Sequence, residues 1–205
     1  LIIEQDDLRF KQRERKTGHL VLFVVDGSGS MGVKQRMTAV KGAVRSLLLD
    51  CYRKRERVAM IVFRKDRAEL VLPPTRSIEL AAKRLAVLPV GGKTPLTAGL
   101  LEAHRLVKRT LRNRPGTRIL LILLTDGRGN HSMTGLPPLE EGRRLARLLE
   151  EETYCDFIVV DTEDKGNLVR SDLALKLAQT LNARYFTCET LHSGQLFDMA
   201  RTGFI

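Results

Sequence analysis

Apolar and polar positions along this chain follow two rhythms. Leu20 to Val25 is an unbroken aliphatic and aromatic run, too short for a helix, which predicts a strand buried on both faces. Val58 to Phe63, Ile119 to Leu124 and Phe157 to Val160 repeat that pattern. Between the runs, apolar residues recur at three- and four-residue steps. Met37, Val40, Val44, Leu47, Leu48 and Cys51 mark one helix face. Further helices are predicted from an N-cap at Ser77 through Val87, and over Leu96 to Leu111, stopped by Asn113, Pro115 and Gly116. Glu140 to Glu151, Leu168 to Leu181 and His192 to Arg201 complete the helical set. Glu69 to Leu72 reads as a short strand closed by Pro73 and Pro74, which suits an edge. Tyr185 and Phe186 mark a last short strand. Strands alternating with helices predict an α/β fold: a doubly wound, mostly parallel sheet with one short edge strand and helices on both faces.

In such sheets ligands bind beyond the carboxyl ends of the strands, near the point where strand order reverses. Three oxygen-rich loops fall at that edge. Asp26-Gly27-Ser28-Gly29-Ser30 follows the first strand, Gly91-Gly92-Lys93-Thr94-Pro95 precedes a helix, and Thr125-Asp126-Gly127 ends the most apolar strand. The two glycines of the first loop allow a turn tight enough for one carboxylate and two hydroxyls to converge. Asp126 offers a second carboxylate and Thr94 a third hydroxyl. Asp26, Ser28, Ser30, Thr94 and Asp126 are therefore the candidate metal ligands. All are hard oxygen donors without His or Cys, which selects Mg²⁺, Mn²⁺ or Ca²⁺ over zinc or copper. With two carboxylates at most, the ion stays underneutralised and attracts a carboxylate from a partner. Each loop alone is an ordinary turn; the three together at one edge are what carry the reading.

These residues resemble the metal-ion-dependent adhesion site of von Willebrand factor A domains: Asp26-x-Ser28-x-Ser30, a later Thr before a helix, and Thr125-Asp126-Gly127. Flanking strings are similar to the C-terminal domain of the D subunit of magnesium and cobalt chelatases. They include Asp7 to Lys11, Phe23 to Met31, Leu72 to Ser77, Leu88 to Leu96 and Leu124 to Asn130. Gly27 departs from that branch, where Ala is usual, without removing a ligand. The resemblance implies a von Willebrand factor A, Rossmann-like fold over residues 19–205, preceded by a basic extension over residues 1–18. It also implies a non-catalytic adaptor in an ATP-dependent metal chelatase of chlorophyll or cobalamin biosynthesis. The implied partners are an AAA+ ATPase subunit and the large porphyrin-binding subunit, with an acidic linker of its own chain as a further candidate. An adaptor for another AAA+ ATPase of the MoxR type is the alternative.

A dinucleotide enzyme is the rival from another class. Gly27-Ser-Gly29-Ser-Met-Gly32 spells G-x-G-x-x-G, with Asp50 near the ribose-binding distance. Against it, Asp26 would repel pyrophosphate unless a cation intervened, and Thr94 and Asp126 would have no role. Gly92-Lys93-Thr94 resembles the end of a P-loop, but Val87 stands where its leading Gly is needed. A covalent phosphatase would need Asp at Ser28. His19, His104, His131 and His192 are scattered, without metal-ligand spacing.

Composition changes this picture little. The 205 residues are 43% hydrophobic and 29% charged, as in an ordinary globular protein. No apolar run approaches the roughly 20 residues of a membrane span. The chain opens with Leu1 and a charged stretch and shows no signal peptide, so we expect a cytoplasmic piece of a longer chain. Cys51, Cys155 and Cys188 are widely spaced and fit reduced, packed thiols. The net charge of +11 does raise nucleic acid as a partner. The bases are dispersed, mostly over predicted helix faces, with few aromatics between them, which disfavours nucleic acid; they read as a solvated basic surface or, more sharply, as one that attracts an acidic protein segment, with Arg105, Arg109 and Arg112 its candidate contacts.

Overall fold

The computed structural model describes residues 18–28, 53–87, 91–163 and 172–187, with positions 42, 45, 48, 49 and 51. Six strands and four complete helices lie within them. In chain order they are β1 (His19–Asp26), β2 (Arg57–Arg64), β3 (Arg67–Thr75), α1 (Ile78–Ala86), α2 (Leu96–Asn113), β4 (Arg118–Thr125), α3 (Pro138–Glu150), β5 (Cys155–Asp161), α4 (Leu173–Thr180) and β6 (Arg184–Thr187). The described positions from Gly42 to Arg53 are also helical, on the segment predicted as the first helix. The predicted helix over His192 to Arg201 lies outside the described residues.

The sheet order is β3-β2-β1-β4-β5-β6. All pairings are parallel except β2 with β3. Strand order therefore reverses between β1 and β4, the point beyond whose carboxyl ends sheets of this kind bind ligands. The edge strand is nine residues long, well beyond the four predicted, and includes both prolines. Pro73 and Pro74 are tolerated because an edge strand has one side free of partners, and the register against β2 slips where Val58 meets Thr75 and Met60 meets Leu72.

Continuous apolar runs become two cores, because successive side chains of a strand point to opposite faces. Leu20, Leu22 and Val24 pack with Leu100, Leu106, Leu149 and Leu177 on the face covered by α2, α3 and α4. Val21, Phe23 and Val25 pack with Leu48, Cys51 and Ala81 on the other face. Each fully buried aliphatic side chain contributes about 1.5–3 kcal/mol. Such a two-sided core holds β1 and β4 rigidly side by side, and thereby fixes where Asp26 and Thr125 leave the sheet.

Candidate functional site

At the carboxyl edge, Val25 of β1 is in register with Leu124 of β4, so Asp26 and Thr125 leave adjacent strands together. The Asp26 carboxylate is turned inward by two contacts. Its Oδ1 accepts the Ser28 N–H at 2.8 Å, closing a local turn, and its Oδ2 lies 3.5 Å from the Thr125 hydroxyl. Thr94 arrives from the loop before α2, and its hydroxyl donates to Ser28 Oγ at 2.8 Å. Three of the five predicted donors, Asp26, Ser28 and Thr94, are thus linked in one chain of contacts. Asp126 follows Thr125 directly and bears on Asp26 electrostatically. Ser30 lies outside the described residues.

Backbone contacts stitch the three loops to one another. Gly27 N–H donates to the Phe63 carbonyl, and Gly91 N–H donates to the Gly27 carbonyl. The Thr94 N–H donates to the Asn130 side chain at 2.8 Å, while the Asn130 N–H donates to the Thr94 carbonyl. Gly127 has φ +75, and a Cβ there would stand 2.3 Å from the Ala174 nitrogen. Only glycine fits, because the positive φ and the close backbone of α4 both exclude a side chain.

Burial sets the electrostatics. Asp26 is 7% exposed, and desolvation pushes its pKa up to about 7 against the lowering effect of Ser28. Desolvation likewise raises Asp126, partly offset by the Arg128 N–H that its Oδ1 accepts at 2.8 Å. The Arg128 guanidinium is paired with Glu163 and lies 4.0 Å from Asp126 Oδ2. No Lys or Arg among the described residues pairs with Asp26. One buried and one partly buried carboxylate with two hydroxyls, the buried acid uncompensated among the described residues, form a donor set suited to a hard cation.

Thr125, Asn130, Arg128 and Glu163 take part in this arrangement although the ligand pattern did not single them out. Thr125 is fully buried, and its hydroxyl accepts the Gly127 N–H at 3.1 Å, so it holds the turn as well as facing Asp26. Its place in the Thr-Asp-Gly string was visible; its contact with Asp26 depends on the β1–β4 pairing. Elsewhere, Arg105 lies 3.6 Å from Glu102, so one of the three bases proposed for an acidic segment already has a counter-ion. Among the described residues no three His, Cys, Asp or Glu side chains cluster as a metal site, and no helix is long and apolar enough to cross a membrane.

Comparison with known proteins agrees with this fold. Residues 21–128 match the sequence model of the von Willebrand factor type A domain. An uncharacterized protein of Mycobacterium tuberculosis is 44% identical over 196 residues, covering 96% of this chain and 30% of its own length. The magnesium-chelatase 67 kDa subunit of Heliobacterium mobile is 37% identical over 210 residues, covering 99% of this chain and 31% of its own. The chain thus spans about a third of the length of these relatives. Among solved structures, von Willebrand factor type A from Catenulispora acidiphila superposes with a TM-score of 0.64 at 19% identity, over 89% of this chain and 42% of its own. Manganese-loaded Plasmodium vivax TRAP protein does so with a TM-score of 0.60 at 21% identity, over 80% of this chain and 63% of its own. At those identities the superpositions speak for the fold alone. With that sequence model matched over more than half of its length, the chain belongs to the von Willebrand factor type A domain family.

Proposed function

We propose that Asp26, Ser28, Ser30, Thr94 and Asp126 hold a divalent cation, Mg²⁺ by preference with Mn²⁺ or Ca²⁺ as substitutes, and that this ion docks a carboxylate of a partner protein. The observation that carries the reading is the Asp26 carboxylate, buried beside two hydroxyls with no cation among the described residues to compensate it. A hard cation with open coordination positions supplies that compensation and an attraction for an outside acid. The ion's chemistry here is binding. The two carboxylates orient and charge-balance it, the hydroxyls fill neutral positions, and Asn130 holds the Thr94 loop in place.

Similarity to magnesium-chelatase subunits across nearly the whole chain extends this to a setting. The domain acts as the adaptor part of a chelatase D-type subunit. It links an AAA+ ATPase subunit to the large porphyrin-binding subunit, in the cytoplasm, and performs no chemistry itself. An acidic linker of the same protein is a further candidate for the basic surface at Arg109 and Arg112. A pull-down with the ATPase and catalytic subunits tests the reading. EDTA should release the complex and Mg²⁺ restore it, with Asp26→Ala unable to respond. Full association in EDTA, unchanged by Asp26→Ala, would show that docking uses another face.

A further inference from the structure

The opposite edge of the sheet carries the reverse electrostatic problem. Arg57 opens β2 half-buried, and its Nη2 is buried with no hydrogen-bond partner. A buried guanidinium donor without an acceptor is costly and calls for an explanation. The antiparallel register of β2 with β3 pairs Val58 with Thr75, which brings exposed Arg76 beside Arg57. Arg114 caps the carboxyl end of α2, where its carbonyl accepts both the N–H and the hydroxyl of Thr117. That turn delivers the chain into β4, two strands from β2 in the same sheet. The nearest carboxylate in sequence, Glu56, is engaged by His19, with Nδ1 and Oε1 3.4 Å apart. Neither Arg57, Arg76 nor Arg114 has an ion pair among the described residues. Burial, then Arg114, then Arg76 all push the Arg57 pKa below the ordinary guanidinium value.

We infer that Arg57, Arg76 and Arg114 form an anion site for a phosphate or diphosphate group. The site lies about 20 Å from Asp26, the length of a strand of this size, and does not depend on the cation reading. A phosphoryl group suits it better than a side-chain carboxylate. Three guanidinium groups offer forked donors and three charges, whereas one carboxylate presents two oxygens and one charge. A phosphate presents three or more terminal oxygens with close to two charges, and gives the buried Nη2 its acceptor.

Calorimetry and thermal unfolding of the 205-residue chain, with inorganic phosphate and pyrophosphate in metal-free buffer, test this. Saturable binding and a raised Tm are expected, beyond the effect of chloride at equal ionic strength. Arg76 and Arg114 are exposed, so the double variant Arg76→Gln/Arg114→Gln should fold normally. It should bind pyrophosphate at least about tenfold more weakly, the loss expected for charged hydrogen bonds, with Mg²⁺ binding at Asp26 unchanged. Arg57→Met removes the unpartnered donor. It should leave the ligand-free Tm unchanged or higher while losing the phosphate response, an outcome that a merely structural arginine would not produce. An equal Tm rise from chloride, or undiminished pyrophosphate binding by the double variant, would overturn the assignment. Tighter binding of an acidic peptide than of pyrophosphate would overturn the phosphate class.

Discussion

The two ends of this sheet make opposite uses of charge. At the carboxyl edge, buried Asp26 and partly buried Asp126 are acids raised in pKa, set among hydroxyls and backbone donors. At the amino edge, Arg57, Arg76 and Arg114 are bases without counter-ions among the described residues. Between them runs a two-sided aliphatic core that tolerates neither. The parallel strands bring their starts to one edge and their ends to the other, and antiparallel β3 returns its own end, beside Arg76, to the edge where β2 starts. Residues of like charge at the same edge of the sheet are therefore brought together. Such crowding is a cost unless a ligand of opposite charge relieves it, and relief is what a binding site supplies.

The largest expected effect comes from breaking the acidic end alone. Asp26→Ala should abolish Mg²⁺ and Mn²⁺ binding by calorimetry, while circular dichroism and the metal-free Tm stay at or above those of the parent. The carboxylate is a cost to the metal-free fold, so its removal does not loosen the core. A mutant that binds Mg²⁺ like the parent would dissociate Asp26 from the site.

The glycine under the acidic loop should come next. Gly127→Ala places a Cβ against the backbone of α4 at a positive φ, and should destabilise the chain by about 2–4 kcal/mol. Urea unfolding measures it. A loss below about 0.5 kcal/mol would mean that α4 moves aside freely, and that the Thr125–Gly127 turn is less rigidly held than its contacts imply.

Dependence on pH separates the two ends directly. Asp26 has a folded pKa of about 7 against 3.8 for the ordinary group, so the folded chain keeps a proton that the unfolded chain releases. Stability without metal should therefore be greatest below about pH 4, considering this group alone, and should fall as pH rises towards 7, by a few kcal/mol at most. Asp26→Asn should flatten that component of the slope, and saturating Mg²⁺ should offset it at neutral pH. A parent and an Asn variant with the same slope between pH 5 and 7 would break the claim that Asp26 is uncompensated.

Arg128→Ala should have the smallest effect. Its guanidinium is half-exposed beside Asp126, so removal should strengthen Mg²⁺ binding by less than about tenfold and change stability by at most about 1 kcal/mol. A loss of Mg²⁺ affinity would instead assign Arg128 and its partner Glu163 to the support of the cation loop.

The three oxygen-rich loops were legible in the sequence because their composition is local. Asp26, Ser28 and Ser30 lie within five residues, and Thr125-Asp126-Gly127 marks a strand end by composition alone. Buried strands were legible for a similar reason: an aliphatic run of strand length has few other homes in an α/β fold. Their ends were less so. Glu69–Leu72 proved to be the centre of the nine-residue β3, because the partnerless side of an edge strand admits prolines that would stop an interior one. Of the helix predicted from Leu168, residues from Leu173 are described as α4, and its first positions lie outside the described residues.

What the sequence determined by itself is the fold class, the hydrophobic period of each element and the oxygen-rich composition of the loops at the carboxyl edge. All of these depend on neighbours a few residues apart, where side-chain period and turn chemistry act directly. Tertiary structure alone decided which loops meet and which charges are left without partners. Thr94 reaches Ser28 across 66 positions of chain, and Thr125 reaches Asp26 across 99. Arg57 acquires Arg76 and Arg114 as neighbours only through the β2–β3 register and the length of α2. Contacts of that separation are set by strand order and register, which no local pattern encodes, and burial then converts them into the raised acid and the unpartnered base.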